Sequence, residues 1–279
     1  MLVAVISRSH FNGLESLRVG RFQKKINTSC IVYRLGDLVV DAGPPNQWKY
    51  VQRFLKERAI SRLLITHHHE DHCGNGAKIG KHFNCPVHAH PAAHKDLEQG
   101  FAVQWYRRMV WGKPERFKAE DFQPQNMTSQ SGDFSLQPLH SPGHSPDMTC
   151  FIEPQRGWLF SGDVYVASRP RFLTEDENPG QEIESLRNLL KQDFQTLFCS
   201  HKGMVENGPA AIKSKLEYLL ELQGEAQRLY QTGLASREIS RQLLGKEEFL
   251  SLLSRGHFNK VNMIRALVHD CPVSQLHHR

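Results

Sequence analysis

Apolar and polar residues fall along the first 66 positions in short blocks. "NTSCIVYRLG" and "DLVVDAGPP" are rich in β-branched residues and meet at a Gly36-Asp37 turn, the pattern of a two-stranded hairpin. In "QWKYVQRFLKERA" the period changes, and Trp48, Val51, Phe54 and Leu55 share one helical face. A strand "RLLIT" comes next, then a short helix beginning in the Gly74–Gly80 region and a strand "CPVHAH" over 85–90. Residues 91–125 break this rhythm. "AAHKDLEQGFAVQWYRRMVW" is helical by propensity and carries Phe101, Trp105 and Trp111. It reads as an insertion between strands, whose aromatics either line a substrate cleft or pack on a neighbour. From 133 to 163 strands return as "FSLQPLHSPGH", "MTCFIEP" and "GWLFSGD", with the turn "PQRG" before the last. A helix over 181–192 and a strand "QTLFCSH" over 195–201 complete the alternation.

After Pro209 the pattern is helical throughout. Ile212, Leu216, Leu219, Leu220, Ala226 and Leu229 recur at helical spacing, and Pro209 suits a first helical turn. Shorter helices are expected over 236–244, 246–254 and 257–269. The organisation implied is a catalytic domain over 1–208 and a helical cap over 209–279 that packs on it and shapes the mouth of the site. The Ser236 start and Gly245 stop resemble a helix-turn-helix, although that pattern is common in helical caps generally.

Composition narrows the picture. With 279 residues, 39% of them hydrophobic, the chain can bury a sizeable core. No run of about 18 apolar residues occurs, and the apolar run at the start is too short for a signal peptide, so the expectation is a cytoplasmic protein. The six cysteines, at 30, 73, 85, 150, 199 and 271, contain no CxxC pair and are read as reduced thiols. Net charge is +6, distributed as +6 over residues 1–60, −3 over 61–208 and +3 over 209–279. Part of the basic excess lies in "LRVGRFQKK", where Arg18, Arg21, Lys24 and Lys25 either attract an acidic or phosphate-bearing substrate or protect a solvated strand edge.

The candidate chemistry is concentrated in "THHHEDHCGN", residues 66–75, where a strand runs into a glycine-containing loop. In an extended loop His67 and His69 point the same way, and Asp71 and His72 come after them. This nitrogen and oxygen set suits borderline divalent ions and supplies half of a double site. Three other places fit the remainder: His144 in "HSPGHSPD", Asp163 in "LFSGDVY" and His201 in "LFCSHKG". Each ends an expected strand beside a glycine or serine.

As a set, "HxHxDH", "SPGHS", "FSGD" and "SHKG", preceded by "DLVVDAG", resemble the successive motifs of the metallo-β-lactamase superfamily, and within it the glyoxalase II-like hydrolases. The resemblance spans roughly residues 18–205. It implies an αββα sandwich with the site at one edge of two packed sheets. It further implies that His67, His69 and His144 hold one metal, that Asp71, His72 and His201 hold a second, and that Asp163 bridges them. The ions would be zinc, with manganese or iron accepting the same ligands.

The function implied is that of a dinuclear hydrolase in which hydroxide between the ions cleaves an ester, thioester or lactone of a small-molecule substrate. Asp71 would orient the nucleophile and pass its proton to the leaving group. A bridging Asp163 weighs against a β-lactam substrate. Tyr165 and Lys202 are candidate substrate contacts, Lys202 standing where the family motif usually has glycine. His68 should point away from the metals, Cys73 is a passive neighbour of the loop, and the isolated His10, His82, His88, His94 and His269 are assigned surface or capping roles. Two other readings stay open: a phosphodiesterase or ribonuclease of the same superfamily that uses the basic stretch, and a non-catalytic metal-binding sensor whose helical tail binds a partner.

Overall fold

The structure, a computed structural model, describes residues 5–22, 28–123 and 127–276. Lys24 and Lys25 of the basic stretch lie outside the described residues. One sheet contains β1 (Val5–Phe11), β2 (Leu14–Gly20), β3 (Ser29–Leu35), β4 (Leu38–Val40), β5 (Arg62–Leu64) and β6 (Val87–His88), in chain order. Its first four strands are antiparallel. The last three run parallel, because α1 (Trp48–Leu55) and α2 (Gly76–Phe83) return the chain to the same end between them. The second sheet has the order β11-β10-β9-β8-β7, from β7 (Gln137–His140), β8 (Thr149–Glu153), β9 (Trp158–Gly162), β10 (Thr196–Cys199) and β11 (Gly203–Val205). Within it β9 and β10 are parallel, joined through α5 (Pro179–Leu189).

Strand alternation divides the apolar residues into three layers. Ile31, Tyr33 and Leu35 of β3 meet Phe151, Phe160 and Phe198 of the second sheet between the sheets. There the Phe160 and Phe198 rings stack with centroids 5.1 Å apart. Val32 points to the opposite face, where Leu17, Val19, Val39 and Leu63 pack against Val51, Phe54 and Leu55 of α1 and Ile79 of α2. On the far side, Cys150, Ile152, Leu159 and Leu197 meet Ile183 and Leu186 of α5 and Ile212 and Leu219 of α6 (Gly208–Gln231). The result is the αββα sandwich. Ile239 of α7 (Ser236–Leu244) and Met263, Ile264 and Leu267 of α9 (Lys260–His269) enter the same outer layer with Val273 of α10 (Val273–Leu276), whereas α8 (Phe249–Leu253) leaves Phe249 and Leu252 exposed.

Three local expectations need correction. The aromatic stretch after residue 91 is two helices, α3 (Pro91–Gln99) and α4 (Trp105–Val110), because Gly100 takes φ +82°, a conformation that glycine adopts without strain. The strand expected over 85–90 pairs only at Val87 and His88. His88 is buried rather than on the surface, and its Nδ1 lies 3.2 Å from the Asp121 carbonyl oxygen. Among the described residues, no helix is long and apolar enough to cross a membrane.

Candidate metal centre

The loops that carry the candidate ligands leave strands at one edge of the sandwich. In the first sheet β4 and β5 are parallel, and Asp41 and the histidine loop lie just past their C-terminal ends. In the second sheet β7, β9 and β10 run the same way, and His144, Asp163 and His201 lie just past theirs. Parallel strands release the chain at a common end, so residues distant in sequence converge there. The sheets are pinched together at this edge. Thr149 N–H donates to the Thr66 carbonyl at 2.8 Å, and Ile31 N–H to that of Ser200 at 2.7 Å. Gly162, at φ +48°, lies in the pinch; a Cβ there would stand 2.3 Å from Met148 Cε and 3.0 Å from Thr66 Cβ.

All seven sequence-derived residues come together. His69 Nδ1 lies 3.0 Å from both His67 Nε2 and His144 Nε2. Asp71 Oδ2 is 3.3 Å from His201 Nε2 and 3.8 Å from His72 Nε2. Asp163 stands between these groups: its Oδ2 is 3.5 Å from His144 Nε2, and its Oδ1 is 3.3 Å from His201 Nε2 and 3.5 Å from His72 Nε2. A tetrahedral shell with bonds of about 2.0–2.2 Å spaces its ligand atoms roughly 3.3–3.6 Å apart. Three sets that could hold an ion result: His67, His69 and His144; His67, His72 and Asp163; and Asp71, His72 and His201.

A further observation fits a metal better than a self-contained polar network. His72 Nε2, Asp71 Oδ1 and Asp163 Oδ1 are buried with no hydrogen-bond partner, which is costly unless a ligand satisfies them. The outward ring nitrogens, by contrast, are held. His72 Nδ1 lies 2.8 Å from Asp41 Oδ2, His201 Nδ1 2.8 Å from the Ser29 carbonyl oxygen and His144 Nδ1 3.2 Å from Glu177 Oε2. His67 Nδ1 lies 3.1 Å from Thr66 Oγ1, which itself donates to Asp41. A proton fixed on Nδ1 leaves the Nε2 lone pair free to ligate, so four of the five imidazoles are prepared in one tautomer.

Electrostatics agree with this design. Burial disfavours the charged form of His67 and His69 and lowers both well below the ordinary histidine value, assisted by the neighbouring imidazoles and, for His69, by Arg107. For His72 and His201 burial acts in the same sense, but Asp163 and the other nearby carboxylates overcome it and raise both. Burial also opposes ionisation of Asp71, yet His72, His201 and Arg107 hold its carboxyl at about 2. The carboxylates therefore demand positive charge at their centre, which divalent ions would supply.

Several supporting residues were not singled out from the sequence. Asp41 is fully buried and accepts from Thr66 N (2.9 Å), Thr66 Oγ1 (2.9 Å) and Ser200 Oγ (3.0 Å) as well as facing His72. A carboxylate closing the apolar "LVV" run was a readable signal. Glu177 on His144 had none. Neither did Arg107 of the insertion, whose Nε donates to buried Glu70 at 2.6 Å and whose Nη2 is 3.6 Å from Asp71 Oδ1.

The weaker candidates are also placed. Lys202 Nζ lies 3.5 Å from the hydroxyl of buried Tyr165 and 5.3 Å from its ring centroid. His68 turns to Asp147 (2.8 Å), and Cys73 is buried with Sγ 2.9 Å from the His68 carbonyl oxygen. Arg18 donates to the His201 and Lys202 carbonyls, and Arg21 to that of Met109, so both bind backbone of this chain.

The chain is similar to known proteins in sequence and in fold. Residues 25–201 match the family model described as Metallo-beta-lactamase superfamily. A hydroxyacylglutathione hydrolase of Bdellovibrio bacteriovorus is 30% identical over 170 residues, 60% of this chain and 57% of that protein. An atrochrysone carboxyl ACP thioesterase of Passalora fulva is 27% identical over 206 residues, 71% of this chain and 54% of that protein. The chain thus spans little more than half the length of these two relatives. Among solved structures, a metallo-beta-lactamase family protein of Thermus thermophilus aligns with a TM-score of 0.67 at 17% identity, covering 93% of this chain and 92% of that one. A beta-lactamase domain protein of Burkholderia ambifaria gives 0.66 at 16% identity, with 94% and 87% covered. These structural likenesses speak for the fold, and the family model, matched over more than half of the sequence, identifies the lineage: the chain belongs to the metallo-β-lactamase superfamily.

Proposed function

We propose that the protein is a dinuclear metal-dependent hydrolase of small thioesters, with esters and lactones as the related substrates. The observation that carries this reading is the convergence of seven ligand-type side chains, three of whose buried polar atoms, His72 Nε2, Asp71 Oδ1 and Asp163 Oδ1, have no hydrogen-bond partner. His67, His69 and His144 would hold one ion, Asp71, His72 and His201 the other, and Asp163 would lie between them. A relative named as a thioesterase and another named as a hydroxyacylglutathione hydrolase support the choice of substrate class.

Divalent ions held by these residues would supply a Lewis acid for the scissile carbonyl and would make water acidic enough to attack at neutral pH. The chain's own groups do the rest. The Asp71 carboxylate, whose Oδ2 faces His201 and His72, would accept a hydrogen bond from the attacking water and orient it, and the water's proton would then pass to the leaving group. Arg107 and Glu70 hold Asp71 from behind. Lys202, beside His201, offers a cation to an anionic part of the substrate. The helices after Gly208 would act as a cap that limits substrate size.

The phosphodiesterase reading loses support from Arg18 and Arg21, which are engaged with backbone carbonyls. The test is turnover by metal-loaded protein of an acyl-glutathione thioester, a lactone, bis-p-nitrophenyl phosphate and short RNA, each with and without chelator. Chelator-sensitive cleavage of the thioester is expected. Cleavage of RNA alone would replace the proposal with the nuclease reading, and bound metal without any turnover would replace it with the sensor.

A further inference from the structure

On α6, Lys215 occupies the stripe formed by Ile212, Leu219, Leu222, Ala226 and Leu229, all buried. A leucine or methionine there would pack at lower desolvation cost than a buried cation. Lys215 is 4% exposed, and its Nζ donates at 2.6 Å both to the Val164 carbonyl and to Glu182 Oε1. Val164 is the residue after Asp163. Glu182, itself 5% exposed, stands on α5 against the loop that presents His144: a Cβ on Gly143 would lie 2.5 Å from Glu182 Cβ and 2.6 Å from its Cα and N. The same helix holds that loop a second time, since Ser185 Oγ donates to the Pro142 carbonyl at 2.7 Å. One ammonium therefore connects the loops of two candidate ligands, His144 and Asp163, to the helical region beyond Gly208.

We infer that Lys215 is a positioning residue for the metal centre. Through Val164 and Glu182 it fixes the placement of Asp163 relative to His144, which makes the C-terminal helical region part of the apparatus that sets metal affinity. The inference rests on the proposal above that these two side chains are ligands. A neutral pair at these positions leaves the helices packed but releases the Val164 carbonyl, so the loop carrying Asp163 gains freedom.

The experiment is zinc binding by competition with a chromophoric chelator, on the full chain, for the parent and for the double variant Lys215→Met/Glu182→Gln. Removal of a group that orients a ligand typically costs about 10–100-fold in metal affinity, and a loss of that size is expected for at least one ion. The control is Lys260→Met. Lys260 is an equally buried lysine of the same region, but its Nζ donates to the Leu244 and Lys246 carbonyls, away from the ligand loops. It should lower thermal stability and leave zinc affinity unchanged. Parental affinities in a folded double variant overturn the inference, as does an equal loss in Lys260→Met, which would mark a general stability effect. Should the double variant not fold, Glu182→Gln alone replaces it, and parental affinities there overturn the inference equally. Parental binding by Asp163→Ala would instead show that the ligand assignment beneath it is wrong.

Discussion

Replacement of Asp41 by asparagine is the sharpest test of how the histidines are prepared. Asp41 sits at φ +64°, a conformation that asparagine tolerates as well, and the two side chains have the same shape, so backbone and packing are preserved. One asparagine oxygen can still accept from Thr66 N and Oγ1. The other position becomes an NH2 group facing Ser200 Oγ, which can rotate to accept, and His72 Nδ1, 2.8 Å from the carboxylate. Two donors cannot share that contact. Either the charge-assisted bond is lost or His72 changes tautomer and places its proton on Nε2, the atom that would face the metal. A hydrogen bond to a charged group contributes about 1.5–3 kcal/mol. Loss of about 2 kcal/mol in a chain of this size lowers the melting midpoint by about 4–8 °C, and the misplaced proton weakens metal binding by about 10–100-fold. Thermal melts of metal-free protein and chelator competition measure the two effects separately. A variant that melts within a degree of the parent and binds metal equally well would refute the tautomer argument.

The same geometry sets other outcomes. Elemental analysis should find two divalent ions per loaded chain, with Asp163→Ala losing metal and turnover and His68→Ala keeping both; a plateau at one ion removes the dinuclear proposal. Gly143→Ala should abolish metal binding, because its Cβ would overlap the backbone of Glu182 and force the His144 loop to move, visible as lost zinc affinity in a folded protein. Arg107→Gln leaves buried Glu70 without its cation and should cost about 3–5 kcal/mol in urea unfolding; an unchanged midpoint would show the pair to be dispensable. Truncation after Gly208 uncovers Ile183, Leu159 and Leu197 and should yield insoluble protein; a soluble product with parental activity would make the helical region an independent module.

The cluster of candidate ligands was legible because each of these residues follows a strand within a few residues of a glycine or serine, and because His67 and His69 share the period of an extended chain. The sandwich was legible from β-branched strand blocks such as "CIVYRL" and from the amphipathic α1. What the sequence concealed depends on partners far along the chain. Arg107 is 37 residues from Glu70, and Glu177 is 33 from His144; neither separation has a period. The break at Gly100 was hidden by good helix formers on both sides, where one glycine's φ decided the outcome. Lys215 reads in sequence as a polar interruption of an apolar stripe, and only the arrival of Val164 and Glu182 beneath it gives the charge a purpose.

The pinch at the ligand edge has a mechanical consequence. Four of the candidate ligands, His67, His69, Asp71 and His72, hang from the first sheet and three, His144, Asp163 and His201, from the second. Ions held between them would rivet the two sheets across a seam whose closures include the Thr149–Thr66 and Ile31–Ser200 hydrogen bonds and the bare backbone of Gly162. Removing the rivet lets the sheets breathe first at that end, so amide exchange in β5 and β10 should quicken on chelation. The Tyr33 ring of the first sheet, edge-on to Phe160 and Phe198 of the second at 5.4 and 5.9 Å, crosses between the same two sheets and would act as the hinge on which such opening turns.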